Sequence, residues 1–277
     1  MAASDILVIL RPGDRPAARL EFAARLARQE DVRVQGMCLE EEPPTGISDC
    51  WAIGPAAVCD VLEHRQAEEA QAIAPLRNDF LHAMAKANVR AEVTIAKPLD
   101  TPTACVARAP TCQLVLLRQP EEHDPEQRHL VETLVVHGQA PCLIMQDEAH
   151  CAPEFNSVVV GWDGGVHVRR ALQAALPLLE PGARVELHTV GAPEDQADDD
   201  TCEVLARLKS LGLDAQSCRS TSNLSSAGYA LLRRCDIVRA DLLVMGAFSH
   251  PPTLEALLGG ATRTALLRAQ IPLLLAH

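Results

Sequence analysis

The final stretch, ADLLVMGAFSHPPTLEALLGGATRTALLRAQIPLLLAH (residues 240–277), decides how the rest of the chain is read. Leu242–Met245 is an unbroken apolar run, the pattern of a strand covered on both faces, and Gly246 ends it where a Cβ would crowd a backbone turn. Thirteen residues further on, Gly259-Gly260 open a helical pattern with Thr262 in its first turn. The unpaired N–H groups at such a helix start suit an anion, phosphate above all. Pro272 then opens a last apolar run, Leu273–Ala276, at a strand start where its missing N–H is tolerated. The order is strand, glycine-edged loop, helix, strand.

The same order recurs upstream. DILVILRPGDRPAARLEFAARLA (5–27) aligns with SVVVGWDGGVHVRRALQAALPLL (157–179) at an offset of 152, each reading as buried strand, glycine-containing turn and amphipathic helix. VRVQGMCL (32–39) aligns with ARVELHTV (183–190), CQLVLLR (112–118) with ADLLVMG (240–246), and APCLIM (140–145) with IPLLLA (271–276), where the offset has fallen to 131. A repeat of that length is a whole-domain period. The 277 residues suit two domains of about 140 each, expected at 1–147 and 156–277, with the polar segment Gln146–Asn156 and its Pro153 between them.

Within the first repeat, residues 40–56 read as a long Pro/Gly-rich loop and Ala57–Ala87 as one long helix, kinked or split at Pro75. Strands follow at Arg90–Ala96 and Gln113–Leu117. In the second repeat a helix is expected over Asp199–Leu211, ended by Gly212, then a strand over Leu213–Cys218 and a helix over Leu224–Arg239 with Ser222 and Asn223 as N-cap candidates. Five strands alternating with four helices, twice, predict an α/β chain of two tandem doubly wound five-stranded sheets. Right-handed crossovers make each sheet parallel.

Composition narrows the function. Hydrophobic residues make up 48% and aromatics 3%, so the cores are aliphatic. Residues 1–150 hold 14 Lys/Arg against 23 Asp/Glu, net −9, and 151–277 hold 11 against 14, net −3. Neither half has the clustered cations that nucleic acid requires. No apolar run reaches the ~18 residues of a membrane span, and MAASDILVIL lacks a basic start, so the expected location is cytoplasmic with no membrane attachment. The ten cysteines form no C-x2-C pair and read as buried structural thiols. Cys50, Cys59 and His64, or His150-Cys151, lack the paired spacing of a metal site. Asp198-Asp199-Asp200 reads as acidic charge at a helix N-terminus before it reads as a metal site.

The 240–277 stretch resembles the C-terminal half of a universal stress protein domain, whose ATP-binding members carry G-x2-G-x9-G-[ST] after the fourth strand. Gly246, Ser249, Gly259 and Gly260 stand at that spacing, Ser249 replacing the second glycine and Gly260 the Ser/Thr. A tandem-domain subgroup carries Gly-Gly-x-Thr, which Gly259-Gly260-Ala261-Thr262 matches. The resemblance implies the adenine nucleotide alpha hydrolase-like strand order 3-2-1-4-5. It places a ligand at the C-terminal ends of strands one and four, where the order reverses. It also implies nucleoside contact by Asp163 in GWDGG (161–165), backbone contact to adenine near Val190, and phosphate contact by the loop holding Ser249 and His250.

Each of these residues has a plainer reading. Asp163 is also an ordinary turn cap, and Ser249-His250-Pro251-Pro252 is also a rigid turn. In the first repeat Arg11-Pro12 replaces Asp163-Gly164, Arg118 replaces Gly246, and RQPEEHDPEQR has no glycine, so no nucleotide is expected there. Arg11 and Arg118 could together hold another anion.

The expectation is therefore a non-enzymatic stress-response regulator, at most a weak ATPase, binding ATP, with Mg2+ accompanying it, through its C-terminal domain, and acting on an unknown protein client. The alternative is a protein interaction module of the same fold that has lost the site. An ATP pyrophosphatase would want S-G-G-x-[DS] after strand one, where this chain has GWDGG. Because an unpaired apolar edge strand invites aggregation, Cys142–Met145 and Leu273–Ala276 are expected to pair with each other inside one chain. A homodimer would then use other surfaces.

Overall fold

The computed structural model describes residues 5–40, 55–97, 101–147, 153–191, 199–221, 227–247 and 260–277, the side chains of 55–70 and 199 excepted. In chain order its elements are β1 (Asp5–Leu10), α1 (Ala17–Glu30), β2 (Val34–Leu39), α2 (Pro55–Lys86), β3 (Ala91–Ala96), α3 (Thr101–Arg108), β4 (Cys112–Arg118), α4 (Pro125–His137) and β5 (Cys142–Met145). The second half repeats them as β6 (Phe155–Gly161), α5 (Val166–Ala175), β7 (Leu179–Val190), α6 (Asp199–Ser210), β8 (Asp214–Ser220), α7 (Ala227–Val238), β9 (Leu242–Gly246), α8 (Gly260–Arg268) and β10 (Leu273–Ala276).

The strands lie in one sheet in the order β3-β2-β1-β4-β5-β10-β9-β6-β7-β8. Each half is parallel and follows 3-2-1-4-5. These are the two five-stranded sheets expected from the repeat, and the pairing expected of their final strands joins them into one sheet of ten strands. The junction is antiparallel, Leu273 opposite Ile144, Leu274 opposite Leu143 and Leu275 opposite Cys142. The cause is the one that sequence suggests: each final strand is short and wholly apolar, and pairing covers both open edges at once.

Successive side chains of a strand point to opposite faces, and both faces of this sheet are covered. Ile6, Val8, Leu10, Val158, Val160, Leu242 and Val244 face α1, α2, α5 and α6, whereas Leu7, Ile9, Val115, Leu117, Val159 and Leu243 face α3, α4, α7 and α8. Leu143 and Leu274 belong to the first layer and Cys142, Ile144, Leu273 and Leu275 to the second, so both cores run through the junction. Phe22 of α1 meets Phe155 of β6 at 5.7 Å between ring centroids, and Arg25 donates to the Pro153 carbonyl.

Element boundaries differ from the sequence reading where packing extends them. Pro75 lies inside one helix that does not divide, because Ile73, Leu76, Phe80 and Met84 on either side of it are buried together. β6 begins at Phe155, inside the segment read as linker, because that ring is fully buried against Phe22. β7 begins at Leu179, where it pairs with Phe155, and β8 runs on to Ser220 opposite Val190. The N-cap candidates Ser222 and Asn223, most of the loop at 40–56, and the metal candidates Cys50, His150 and Cys151 lie outside the described residues, as do the side chains of Cys59 and His64.

Cys38, Cys105, Cys112, Cys142 and Cys235 are buried free thiols. Burial pushes Cys38 up to about 11 and Cys105, Cys142 and Cys235 up to about 12, so they act as small hydrophobes. Cys218 is half-buried and Cys202 exposed. Asp200 pairs with Arg169 at 2.8 Å, while Asp198 lies outside the described residues.

Leu274 is fully buried at the junction. Leu274→Ala should lower the unfolding free energy by about 2–5 kcal/mol in urea titrations. Residues 156–277 expressed alone should self-associate through Leu273–Ala276 in analytical ultracentrifugation, and a stable monomer with slowly exchanging final-strand amides would contradict the role given to the junction.

Candidate functional site

The order of the second half reverses between β6 and β9, and in a doubly wound sheet that reversal is where a crevice opens at the C-terminal ends of the strands. β6 ends at Gly161 and the chain turns through Trp162, Asp163 and Gly164, whose φ of 72° is a left-handed conformation that glycine adopts freely. Asp163 is exposed, and its Oδ1 accepts the Gly165 N–H at 2.9 Å. The turn-cap reading is thus observed. It uses one oxygen of the carboxylate and leaves Oδ2 directed at no hydrogen-bond donor among the described residues.

Two side chains that sequence reading passed over hold this turn. Trp162 is buried, donates through Nε1 to Thr201 Oγ1 at 3.1 Å, and ties its backbone N–H to the His188 carbonyl at 2.9 Å. Arg169 lies over the Trp162 ring at 5.3 Å, donates to the Gly164 carbonyl at 3.0 Å and pairs with Asp200. Their common signal is an aromatic and an arginine flanking a Gly-rich turn.

Across the crevice, Gly246 ends β9. A Cβ there would lie 2.6 Å from the Val168 nitrogen and 3.0 Å from the His167 carbonyl carbon, so this glycine lets the start of α5 pack against the strand end. Close backbone approach is what sequence predicts at this position, and the approaching backbone is a helix. The helix α8 begins at Gly260, where an added Cβ would meet no atom of the described residues within 4 Å. Ala261 is half-buried and Thr262 buried, with the Thr262 side chain in the first turn. Thr264 Oγ1 donates to the Gly260 carbonyl at 2.7 Å. Val190 ends β7 opposite Ser220, half-buried. The structure therefore places Asp163, Val190, Gly246, Gly260, Ala261 and Thr262 at the C-terminal ends of β6, β7 and β9 or on the helix that follows. Ser249, His250 and Gly259 lie outside the described residues.

The corresponding crevice of the first half is lined by its own paired charges, beside a cavity of about 450 Å³ bounded by Gly13, Arg15, Arg118, Glu121, Gln146 and Asp147. Asp124 caps α4, its Oδ1 accepting the Gln127 N–H at 2.9 Å, while Oδ2 takes Arg11 at 3.3 Å and Arg118 at 3.2 Å. Arg118 also pairs with Asp14 and Glu121, and Arg11 with Glu126. Beneath them Arg19, 1% exposed, joins Asp14 at 2.7 Å and Asp147 at 3.0 Å and donates to the Ile9 carbonyl. The expectation that Arg11 and Arg118 are available to an outside anion is corrected: the anions are side chains of the same chain, placed where a helix N-terminus attracts negative charge.

A third polar group lies under the end of β7. Glu186 and His188, 2% and 3% exposed, share one strand face with Gln216 and Ser220 of β8. Arg234 of α7 donates to both Glu186 oxygens, at 2.7 and 2.6 Å, and Gln216 adds a bond at 3.0 Å. Burial raises the Glu186 pKa, but the hydrogen bonds and charge of Arg234 outweigh it, and the net shift is downward. His188 is shifted down, chiefly by burial, against the opposing pull of Glu186. Glu186, His188 and Cys218 also bring three ligand-type atoms within 4.8 Å of one another. Glu186 already spends both oxygens on Arg234, and a cation there would face a guanidinium, so the trio is not a ready metal site. The sequence signal was present in VELHTV, two polar residues at strand period inside a strand covered on both faces.

No protein-family model matches the sequence, and no curated protein matches it. Among solved structures, a universal stress protein from Archaeoglobus fulgidus DSM 4304 superimposes with a TM-score of 0.73 at 14% identity, covering 98% of this chain and 95% of that one. A functionally unknown protein from Pseudomonas aeruginosa PAO1 gives 0.58 at 14%, covering 99% and 92%. Likeness at that identity is likeness of fold: this chain shares the fold of that stress protein over 98% of its length. No described helix is long and apolar enough to cross a membrane.

Gly246→Ala should force α5 away from β9, because the obstructing atom is backbone, and cost about 1–3 kcal/mol in thermal or urea unfolding. A second expectation concerns acid. A carboxylate whose folded pKa is below its unfolded value, near 4.5 for Glu186, gives stability that is complete above that value and is lost as pH falls through the folded pKa. Glu186→Gln should therefore destabilise the protein at pH 7 and make unfolding free energy between pH 5 and 3 fall less steeply than in the wild type.

Proposed function

We propose that this chain, built on the fold of a tandem universal stress protein, binds an adenine nucleotide, ATP with its Mg2+, in the crevice of its second half. The observation that carries the reading is the contrast between two crevices on one scaffold. In the first half the start of α4 is closed by Asp124 and two arginines. In the second half a Cβ added at Gly260, where α8 starts, would meet no atom of the described residues within 4 Å, and Asp163 in the turn after β6 has one carboxylate oxygen without a partner among the described residues. A helix N-terminus with small residues is suited to phosphate, and an exposed carboxylate at the neighbouring strand end is suited to ribose hydroxyls. Gly259, Ser249 and His250 would complete the phosphate loop, and the backbone near Val190 would meet the base.

The protein in this reading is a binder and regulator, not a catalyst. Its groups hold charge and hydroxyls, and the activity is transmitted to a protein client, in the cytoplasm. The first half serves as the permanent structural partner of the second.

Isothermal titration calorimetry with ATP and Mg2+ tests the proposal. Wild type should bind one nucleotide per chain. Gly259→Val, which sets a branched side chain where phosphate oxygens meet helix N–H groups, should weaken binding at least tenfold, about 1.4 kcal/mol. Arg118→Ala should leave affinity unchanged. Equal binding by wild type and Gly259→Val would move the site elsewhere, and no binding by wild type would favour an interaction module that has lost its ligand.

A further inference from the structure

The polar group under β7 has a definite arrangement of protons. Glu186 is ionised, held by two hydrogen bonds from Arg234 and one from Gln216. His188 Nδ1 lies 3.3 Å from Glu186 Oε1. A carboxylate only accepts, so Nδ1 must carry a hydrogen; the other tautomer would set a lone pair against the oxygen. The imidazole is 3% exposed, and the downward shift of its pKa keeps it neutral. Its Nε2 is then a bare acceptor, and Ser220 Oγ, 3.0 Å away, must donate its one proton to it. The hydroxyl of Ser220 is left able only to accept.

Ser220 ends β8 directly opposite Val190, and its carbonyl accepts the Gly191 N–H at 2.9 Å. These strand ends are where the proposed nucleotide would place its base. We propose that Ser220 is a base-specificity residue: its acceptor-only oxygen, level with Val190, selects a purine carrying an exocyclic amino group at position six over one carrying a carbonyl there. Adenine offers two N–H donors at that position, whereas hypoxanthine and guanine offer an oxygen whose lone pairs would oppose those of Ser220. A site built to accept from a ligand N–H rejects the analogue that lacks it, because its own group is left unpaired. His188, Glu186 and Arg234 act through Ser220 as positioning residues, fixing the direction of one proton. The proposal rests on nucleotide binding in this half.

The test compares ATP with inosine triphosphate, which carries a carbonyl at position six and with it a hydrogen on N1, by calorimetry on the full chain. Wild type should prefer ATP by at least about tenfold. Ser220→Ala should bring ATP down to the affinity of the inosine nucleotide, whose own binding changes by less than about twofold, and Ser220→Thr, which keeps the hydroxyl, should retain the preference. Equal affinity of wild type for the two nucleotides overturns the proposal without any variant. So does a Ser220→Ala protein that keeps the wild-type preference, or loses affinity for both nucleotides alike, while nucleotide binding itself stands. A wild type that binds neither nucleotide removes the nucleotide reading and this inference with it.

Discussion

Three residue pairs of antiparallel strand, Leu273–Leu275 against Cys142–Ile144, hold the two halves as one molecule. Each half is a five-stranded parallel sheet whose last strand would otherwise offer an open row of N–H and C=O groups along a strip of leucine, isoleucine and cysteine. Such an edge seeks a partner. Supplying it within the chain replaces a concentration-dependent association with a fixed one, and it joins the aliphatic layers on both faces into cores that cross the junction. A half whose crevice is lined by its own ion pairs remains necessary under this constraint, since without it the other half has a bare edge.

The junction also acts on the candidate site through α8. The last carbonyls of any helix lack partners within it. Here Gln119 donates to the carbonyls of Leu266 and Ala269, and Gln146 to that of Ala269, all across the junction, while Arg268 pairs with Glu122. First-half side chains thus satisfy the C-terminal end of the helix whose N-terminal end belongs to the proposed site. The helix is short, Gly260–Arg268, so anchoring one end fixes the direction of the other.

What sequence made legible follows from what periodicity records. Apolar runs mark strands covered on both faces, and the repeat marks the two halves, so the strands, their order by resemblance, and the pairing of Leu273–Ala276 with Cys142–Met145 all follow. The turn at Asp163 was legible as a turn. Its bracing by Trp162 and Arg169 was not, since that depends on Thr201 and Asp200 brought in from α6. Arg19 occupies a helix position whose fully buried state comes from Asp14 and Asp147, residues on separate loops. Arg11 and Arg118 looked like anion ligands because sequence shows cations at strand ends and does not show that Asp124 reaches both.

The Glu186–Arg234 pair makes the same point in energetic terms. A buried ion pair gives little net stability, since withdrawing both charges from water offsets most of their attraction, and apolar residues of equal volume often do as well. Two further polar groups, Gln216 and His188, are committed to the same carboxylate. The neighbouring positions on this strand show the cheaper solution, with Val185 and Leu187 fully buried in the opposite layer. What an apolar group at 186 cannot do is dictate a tautomer two residues away. With Glu186 ionised, His188 holds its hydrogen on Nδ1, Ser220 must give up its own, and a single orientation survives at the strand end. The stability forgone in the interior reappears as a fixed pattern of donors and acceptors at the rim of the crevice.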